Sequence, residues 1–203
     1  MQSAGKLEAA AILEAGGLVV VVDPASMGGA GRGFFLHAAA LATTEVVNTA
    51  ILNGRGITCF SVTPARAMRL GLMLAGELTN GHHGPLFLRS VEAATCDGTG
   101  ISAEDRALTL RAAGAPDAGI ASLKSPGHVV PAMTSGHEGR PPEVAELAQD
   151  VLAALTSHEV AAWIDILDDM GEVADAAWCQ AVADRVGVPC LDAAALLAQP
   201  VAA

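Results

Sequence analysis

Two polar turns between residues 97 and 131 carry the side chains best suited to chemistry. The first runs from Thr99 to Arg106 and the second from Ser125 to His128. A glycine in each turn lets the backbone approach a ligand, and His128 is the side chain there that titrates nearest neutrality. Ser102 and Asp105 also suit the first turn of a helix, so a helix cap beside a surface histidine is the alternative interpretation. Taken together, the two turns indicate a candidate site.

Alternating strands and helices must position these turns. A run of β-branched residues at 18–22 predicts a buried strand. Further strands are expected at 34–36, 56–62, 86–94, 161–167 and 188–192, and helices at 6–15, 43–54, 63–72, 99–114, 143–155 and 174–187. This alternation predicts an α/β fold, or an α+β sandwich with a mixed sheet between helical layers. No linker or repeat divides the chain, so one domain spanning 1–203 is expected.

Composition narrows the range of partners. The chain has 22 Asp and Glu against 11 Lys and Arg, a formal charge of −11, so its mean field repels nucleic acid and anionic membranes. Its apolar runs are shorter than the roughly 18 residues of a spanning helix, and no signal peptide is visible, which favours the cytoplasm. The four cysteines form no metal-binding pattern. A small-molecule substrate or a protein partner is therefore expected.

The glycine-rich segment 23–33 follows the first predicted strand. It could be a phosphate-binding loop, but it lacks the Lys and Ser/Thr of a P-loop and a fitting GxGxxG. A mobile loop is the preferred interpretation.

The sequence TGISAEDR at 99–106, followed by PGHVVP at 126–131, resembles a known pair of motifs. TG(V/I)SAxDR and RPGHVFPL occur in 3,4-dihydroxy-2-butanone 4-phosphate synthase, which converts ribulose 5-phosphate into a four-carbon ketone phosphate and formate. The resemblance in order and length extends from about Leu13 to about Leu197. It implies the family's α-β-α fold and a homodimer with active sites at the subunit interface.

The resemblance assigns roles to individual residues. Its substrate and phosphate positions fall on Ser102, Asp105, Arg106 and Thr109, with Thr99 in the same anchoring turn. Cys59 matches a cysteine that faces the substrate, although an apolar strand also suits a core cysteine. Asp165 falls on a catalytic glutamate. We expect His128 to act as general acid/base, with Asp165 as its carboxylate counterpart and Cys59 and Asp105 completing the catalytic set.

The same comparison predicts that the metal site is lost. The family carries an acidic stretch close to DDEDRENEGD after its first strand, and its carboxylates hold Mg²⁺. Here Asp23 keeps the first Asp and Arg32 supplies an arginine, but residues 24–31 contain no carboxylate. At the family's second metal ligand, the alignment places either Pro142 or, with a gap, His137. Asp23 and Arg32 are therefore assigned to substrate binding, and no metal or other cofactor is predicted.

Three functions are consistent with these observations. The preferred prediction is a divergent enzyme that performs a metal-independent, lyase- or isomerase-type acid/base reaction on a small carbonyl substrate other than ribulose 5-phosphate. The alternatives are the synthase reaction itself and a non-catalytic binding or regulatory relative.

Overall fold

The structure is a computed structural model that describes residues 2–76, 86–136 and 141–198. Its strands are β1 Val19–Asp23, β2 Arg32–Ala38, β3 Cys59–Val62, β4 Leu86–Phe87, β5 Val91–Ala93, β6 Leu123–Met133, β7 Ala161–Asp165 and β8 Cys190–Asp192. Its helices are α1 Gln2–Glu14, α2 Thr44–Gly54, α3 Pro64–Arg69, α4 Ala103–Gly114, α5 Val144–Leu155, α6 Ala176–Val186 and α7 Ala193–Leu197. Within the described ranges, no helix is both long and apolar enough to cross a membrane.

The strands described here form one mixed sheet. Their order is β4-β6-β3-β7-β2-β1-β8, and β5 pairs with the first part of β6. The β1–β8 and β3–β6 pairs are parallel, whereas the other pairs are antiparallel. The predicted mixed sheet is therefore confirmed.

Helices cover both faces of the sheet because successive strand residues point to opposite sides. One face presents Val21, Phe34 and Trp163 to α5 and to the helices at the two ends of the chain, α1 and α7. The other face presents Phe35 and Phe60 to α2, α4 and α6. Apolar side chains on both sides of the sheet leave its strand ends as the places where polar groups can gather.

The second polar turn of the sequence is not a turn. Residues 125–128 lie inside β6 as a bulge: β5 pairs with Leu123 and Lys124 before them and with Val129 after them, across a register shift. Ser125–Pro126 is a cis peptide bond. Gly127 is needed because a Cβ there would overlap the backbone of Val91 and Glu92. A strand therefore forms where the Pro-Gly pair predicted a turn, because the pairing with β5 is remote in sequence.

The sequence also contains a turn-rich segment at 76–85, with adjacent histidines at 82–83, which the resemblance makes a possible substrate-covering lid. Residues 77–85 lie outside the described residues, as do His137 and Arg140.

Candidate active site

The turn before α4 forms the first part of the site. Ser102 is the N-cap of α4, and its hydroxyl accepts a hydrogen bond of 3.0 Å from the Asp105 amide. This is the cap that the sequence predicts, since a serine oxygen satisfies an amide that the helix leaves unpaired. Thr99 is exposed beside it, and Gly100 is buried with a left-handed φ of 77°. The turn is thus fixed by its own hydrogen bonds.

Asp105 organises the inside of this turn. One carboxylate oxygen accepts a hydrogen bond from the Cys96 thiol at 3.3 Å, and the other accepts one from the Gly100 amide at 3.2 Å. The Cys96 thiol and the Ser102 and Gly100 groups lower the pKa of Asp105, although desolvation opposes them. Asp105 is therefore an anion that holds the turn in shape.

Thr109 and Arg106 support the turn from inside the protein. The buried Thr109 hydroxyl donates to the Asp105 carbonyl at 2.8 Å and accepts from the Ala93 amide at 3.0 Å. Arg106 donates to the Ile101 carbonyl at 2.9 Å and to the Thr58 hydroxyl at 3.0 Å. Burial lowers the pKa of Arg106. Both side chains connect α4 to the sheet, and Thr109 lies behind the turn rather than facing solvent.

Glu92 belongs to this cluster, although sequence reasoning missed it. Its side chain is only 14% exposed, and one oxygen lies 3.5 Å from the Lys124 ammonium group. The other oxygen lies against Gly100, at the position that a Cβ would occupy, and His128 Nδ1 lies 3.1 Å from that position. Lys124 is held by a 2.7 Å hydrogen bond to the Cys96 carbonyl. A mostly buried carboxylate therefore sits beside the exposed His128.

A second cluster of polar residues lies at the same end of the sheet, on the face covered by α5. Cys59 pairs with Trp163 in β7, and Asp165 lies two residues further along β7 on the same face. Burial raises the pKa of Asp165, and the positive charge of Arg32 and the Trp163 indole oppose this rise. Burial and then the Asp165 charge raise the pKa of the Cys59 thiol. Cys59 is thus a neutral thiol, only 4% exposed, in the wall of this region.

Asp23 and Arg32 complete this second cluster. They face each other across the β1–β2 hairpin, and Arg32 lies diagonally from Asp165 because Asp165 pairs with Phe34. Asp23 accepts a 3.2 Å hydrogen bond from the Ala25 amide. The buried Nε of Arg32 has no hydrogen-bond partner among the described residues. Since a buried unpaired donor is costly, Arg32 is placed to donate to an acceptor oxygen.

The residues at the start of β3 connect the two clusters. Thr58 receives the hydrogen bond from Arg106, and the next residue, Cys59, faces the Asp165 side. Cys59 also pairs with Val130, two residues beyond His128 in the parallel strand β6. The structure therefore gathers the predicted residues in two adjacent clusters at one end of the sheet, around His128 and around Asp165.

The described residues do not fit the metal site that the resemblance implies. In 2–76, 86–136 and 141–198, no three His, Cys, Asp or Glu side chains gather as a metal site. In the β1–β2 loop, backbone amides instead bond to Ser26 and Met27 carbonyls. A hard divalent cation requires several oxygen ligands, which these residues do not provide.

The fold is a three-layer α/β sandwich that gathers carboxylates, an imidazole and arginines at one end of its sheet. The family model for 3,4-dihydroxy-2-butanone 4-phosphate synthase matches residues 7–199. The chain belongs to this family.

Curated relatives are similar over about half of the chain. The synthase of Pseudomonas aeruginosa is 41% identical over 102 residues, which are 50% of this chain and 28% of the relative. The synthase of Edwardsiella ictaluri is 40% identical over 100 residues, which are 49% of this chain and 46% of the relative. These alignments thus span less than half of each relative's own length.

Solved structures extend the likeness to nearly the whole chain. A 3,4-dihydroxy-2-butanone 4-phosphate synthase in complex with two magnesium ions is 28% identical, with a TM-score of 0.77 over 92% of both chains. A two-domain synthase from A. baumannii is 27% identical, with a TM-score of 0.82 over 94% of this chain and 56% of that chain. The fold that the resemblance implies is confirmed.

These findings correct the preferred functional prediction. A divergent reaction on a substrate other than ribulose 5-phosphate is wrong, because the relatives and the structural neighbours carry the name of the synthase. The prediction gave too much weight to the β1–β2 loop. The synthase alternative is better supported.

Proposed function

We propose that this protein catalyses the 3,4-dihydroxy-2-butanone 4-phosphate synthase reaction, which forms a four-carbon ketone phosphate and formate from ribulose 5-phosphate. The observation that carries the proposal is the family match over residues 7–199, which includes the TGIS turn and His128. The similar proteins of Pseudomonas aeruginosa and Edwardsiella ictaluri are named for this activity.

The chain's own residues divide the work between the two clusters. His128 is exposed beside Gly100, where its imidazole can transfer a proton to or from a bound substrate. Asp165 is the second proton carrier, because burial brings its pKa closer to the working range of a general acid/base. Arg32, with its unpaired Nε, binds an anionic oxygen of the sugar phosphate. The TGIS turn anchors the substrate between them.

One solved synthase structure similar to this chain holds two magnesium ions. Because the described residues do not gather a set of metal ligands, no step of the reaction is assigned to a metal. The same observation favours a second candidate, a non-catalytic relative that binds a ligand or a partner without turning it over. The homodimer with interfacial sites and the cytoplasmic location are part of the first proposal and follow from the resemblance and the sequence.

Formate release tests the two candidates against each other. The purified protein is incubated with ribulose 5-phosphate, with Mg²⁺ in one arm and EDTA in the other, and formate is measured with a coupled dehydrogenase. The first candidate predicts formate that disappears in Asp165→Asn. A matched control is Asp169→Asn, because Asp169 is an exposed carboxylate paired with Arg55 on a surface turn. Folded protein that releases no formate in either arm would favour the non-catalytic relative.

A further inference from the structure

A separate cavity lies at the opposite end of β3 from the candidate active site. It has a volume of about 490 Å³ and lies between α3, α5 and the segment that leads into β7. Its polar lining includes Arg66, Arg69, Gln149, His158 and Glu159. The size is within the range of pockets that hold small organic ligands. None of these side chains has a role in the proposed reaction.

A rigidly held arginine forms the floor of this cavity. The Arg66 side chain is only 5% exposed and lies 3.0 Å from a carboxylate oxygen of Glu159. Its guanidinium also donates to the Ala113 and Ala115 carbonyls at 2.7 and 2.6 Å. Because α4 ends at these carbonyls, the guanidinium is fixed in position before any ligand arrives. Such preorganisation lowers the entropic cost of binding.

Positive charge exceeds negative charge at this point of an acidic protein. Arg69 lines the same cavity, donates to the Pro116 carbonyl at 2.9 Å and makes no ion pair with any described residue. Burial and the nearby charge of Arg69 lower the pKa of Arg66. Glu159, which is 71% exposed, pairs with Arg66 only, so the charge of Arg69 is left without a carboxylate partner among the described residues. A bound anion would relieve the repulsion between the two guanidiniums.

A third donor faces the same space. The side-chain oxygen of Gln149 accepts a 2.6 Å hydrogen bond from the Ser61 hydroxyl, so its amide N–H groups remain to donate. We propose that this cavity binds a small anion carrying a phosphate or carboxylate group. Arg69 and Gln149 donate to the anion, and Arg66, whose terminal nitrogens already donate to Glu159, Ala113 and Ala115, attracts it by its charge. Arginine suits this role because its planar fork matches both groups.

Binding can be measured without any activity. The full chain is titrated with inorganic phosphate and, separately, with malonate, against sodium chloride at matched ionic strength. Saturable heats in calorimetry and a shift of the Gln149 side-chain amide signals in NMR are expected. The tighter of the two anions identifies the class of ligand. A response that chloride reproduces, or NMR shifts confined to the Asp105 region, would overturn the proposal.

Two charge changes give opposite results if the proposal is right. Arg69→Gln removes one guanidinium and should weaken binding about tenfold or more, as expected for a charge-assisted hydrogen bond. Glu159→Gln removes the competing carboxylate and should tighten binding. Arg185→Gln is the control, since Arg185 is an exposed arginine on α6 that does not line the cavity. If Arg69→Gln binds the anion as tightly as the wild-type protein does, the proposal is refuted. The proposed synthase activity is tested separately, by formate release, and does not depend on this result.

Discussion

Gly100→Ala is the substitution that most directly perturbs the His128 cluster. Gly100 is buried with a φ of 77°, so an alanine would adopt a left-handed conformation that L-residues disfavour. Its methyl group would also overlap a carboxylate oxygen of Glu92 and lie 3.1 Å from His128 Nδ1. The side chain of Glu92 has to move away, which breaks its contact with Lys124. The change therefore acts on both the backbone and the site.

The expected magnitude follows from these two effects. The left-handed conformation costs about 1–2 kcal/mol for a residue with a Cβ. The Glu92–Lys124 pair adds at most about 1 kcal/mol, since its Lys124 side is 45% exposed and solvent screens it there. We expect the free energy of unfolding to fall by about 2–3 kcal/mol in total. Formate release should fall at least about tenfold, because displacements near 1 Å can cost up to about a hundredfold in a positioned reaction.

Urea unfolding and the formate assay measure the two effects separately. The matched control is Gly171→Ala, because Gly171 also has a positive φ of 82° but a Cβ there would meet no atom within 4 Å. Only the backbone cost should remain in this control, and activity should be retained. Combining Gly100→Ala with Glu92→Ala should recover part of the lost stability, since the collision is removed. If Gly100→Ala proves no more harmful than Gly171→Ala, the packing of Glu92 against Gly100 is refuted.

Three further substitutions test the account by stability. Burial raises the pKa of Asp165, so its ionised form destabilises the native state. Asp165→Asn should therefore be more stable than wild type at pH 7. This gain should vanish below about pH 4, where the carboxyl is protonated in both the folded and the unfolded protein. Hydrogen bonds lower the pKa of Asp105, so its carboxylate stabilises the fold above the pKa of the unfolded state. This stabilisation is lost as the pH falls through the pKa of the folded state. Asp105→Asn should therefore be less stable than wild type at pH 7, and the difference should shrink in acid. Thr109→Val removes two buried hydrogen bonds at constant shape and should cost about 1–3 kcal/mol, against no more than about 0.5 kcal/mol for the exposed Thr99→Val. Urea titrations across pH check all three, and unfolding curves that do not depend on pH would contradict the two carboxylate assignments.

Local signals in the sequence predicted much of the fold. Ser102 accepts a hydrogen bond from the Asp105 amide three residues later, as its position at the start of a helical segment indicates. The sequence allowed Thr43 or Thr44 to cap the helix predicted to begin there, and the structure shows that Thr43 does so, by accepting from the Val46 amide. The valine run became β1, which is buried on both faces. Such signals depend on neighbours within a few residues, so they can be read from the sequence without knowledge of the tertiary structure.

Contacts between remote residues could not be predicted in this way. Residues 125–128 became a bulge within β6 because β5 pairs with the residues on both sides of them, and no local feature of Ser-Pro-Gly-His indicates that partner. Glu92 was missed for the same reason, since a single glutamate in a short strand gives no local signal of its contact with Gly100. The functional error had another origin. The absence of carboxylates at 24–31 is a real property of the sequence, but it did not establish a different substrate.

The central claim is that this chain releases formate from ribulose 5-phosphate. The most direct test is to quantify formate and the four-carbon ketone phosphate from the same reaction with purified protein, in the presence of Mg²⁺. The account predicts equal amounts of the two products, abolished in His128→Ala while circular dichroism shows an intact fold. Folded wild-type protein that yields neither product, even at high enzyme concentration, would contradict it.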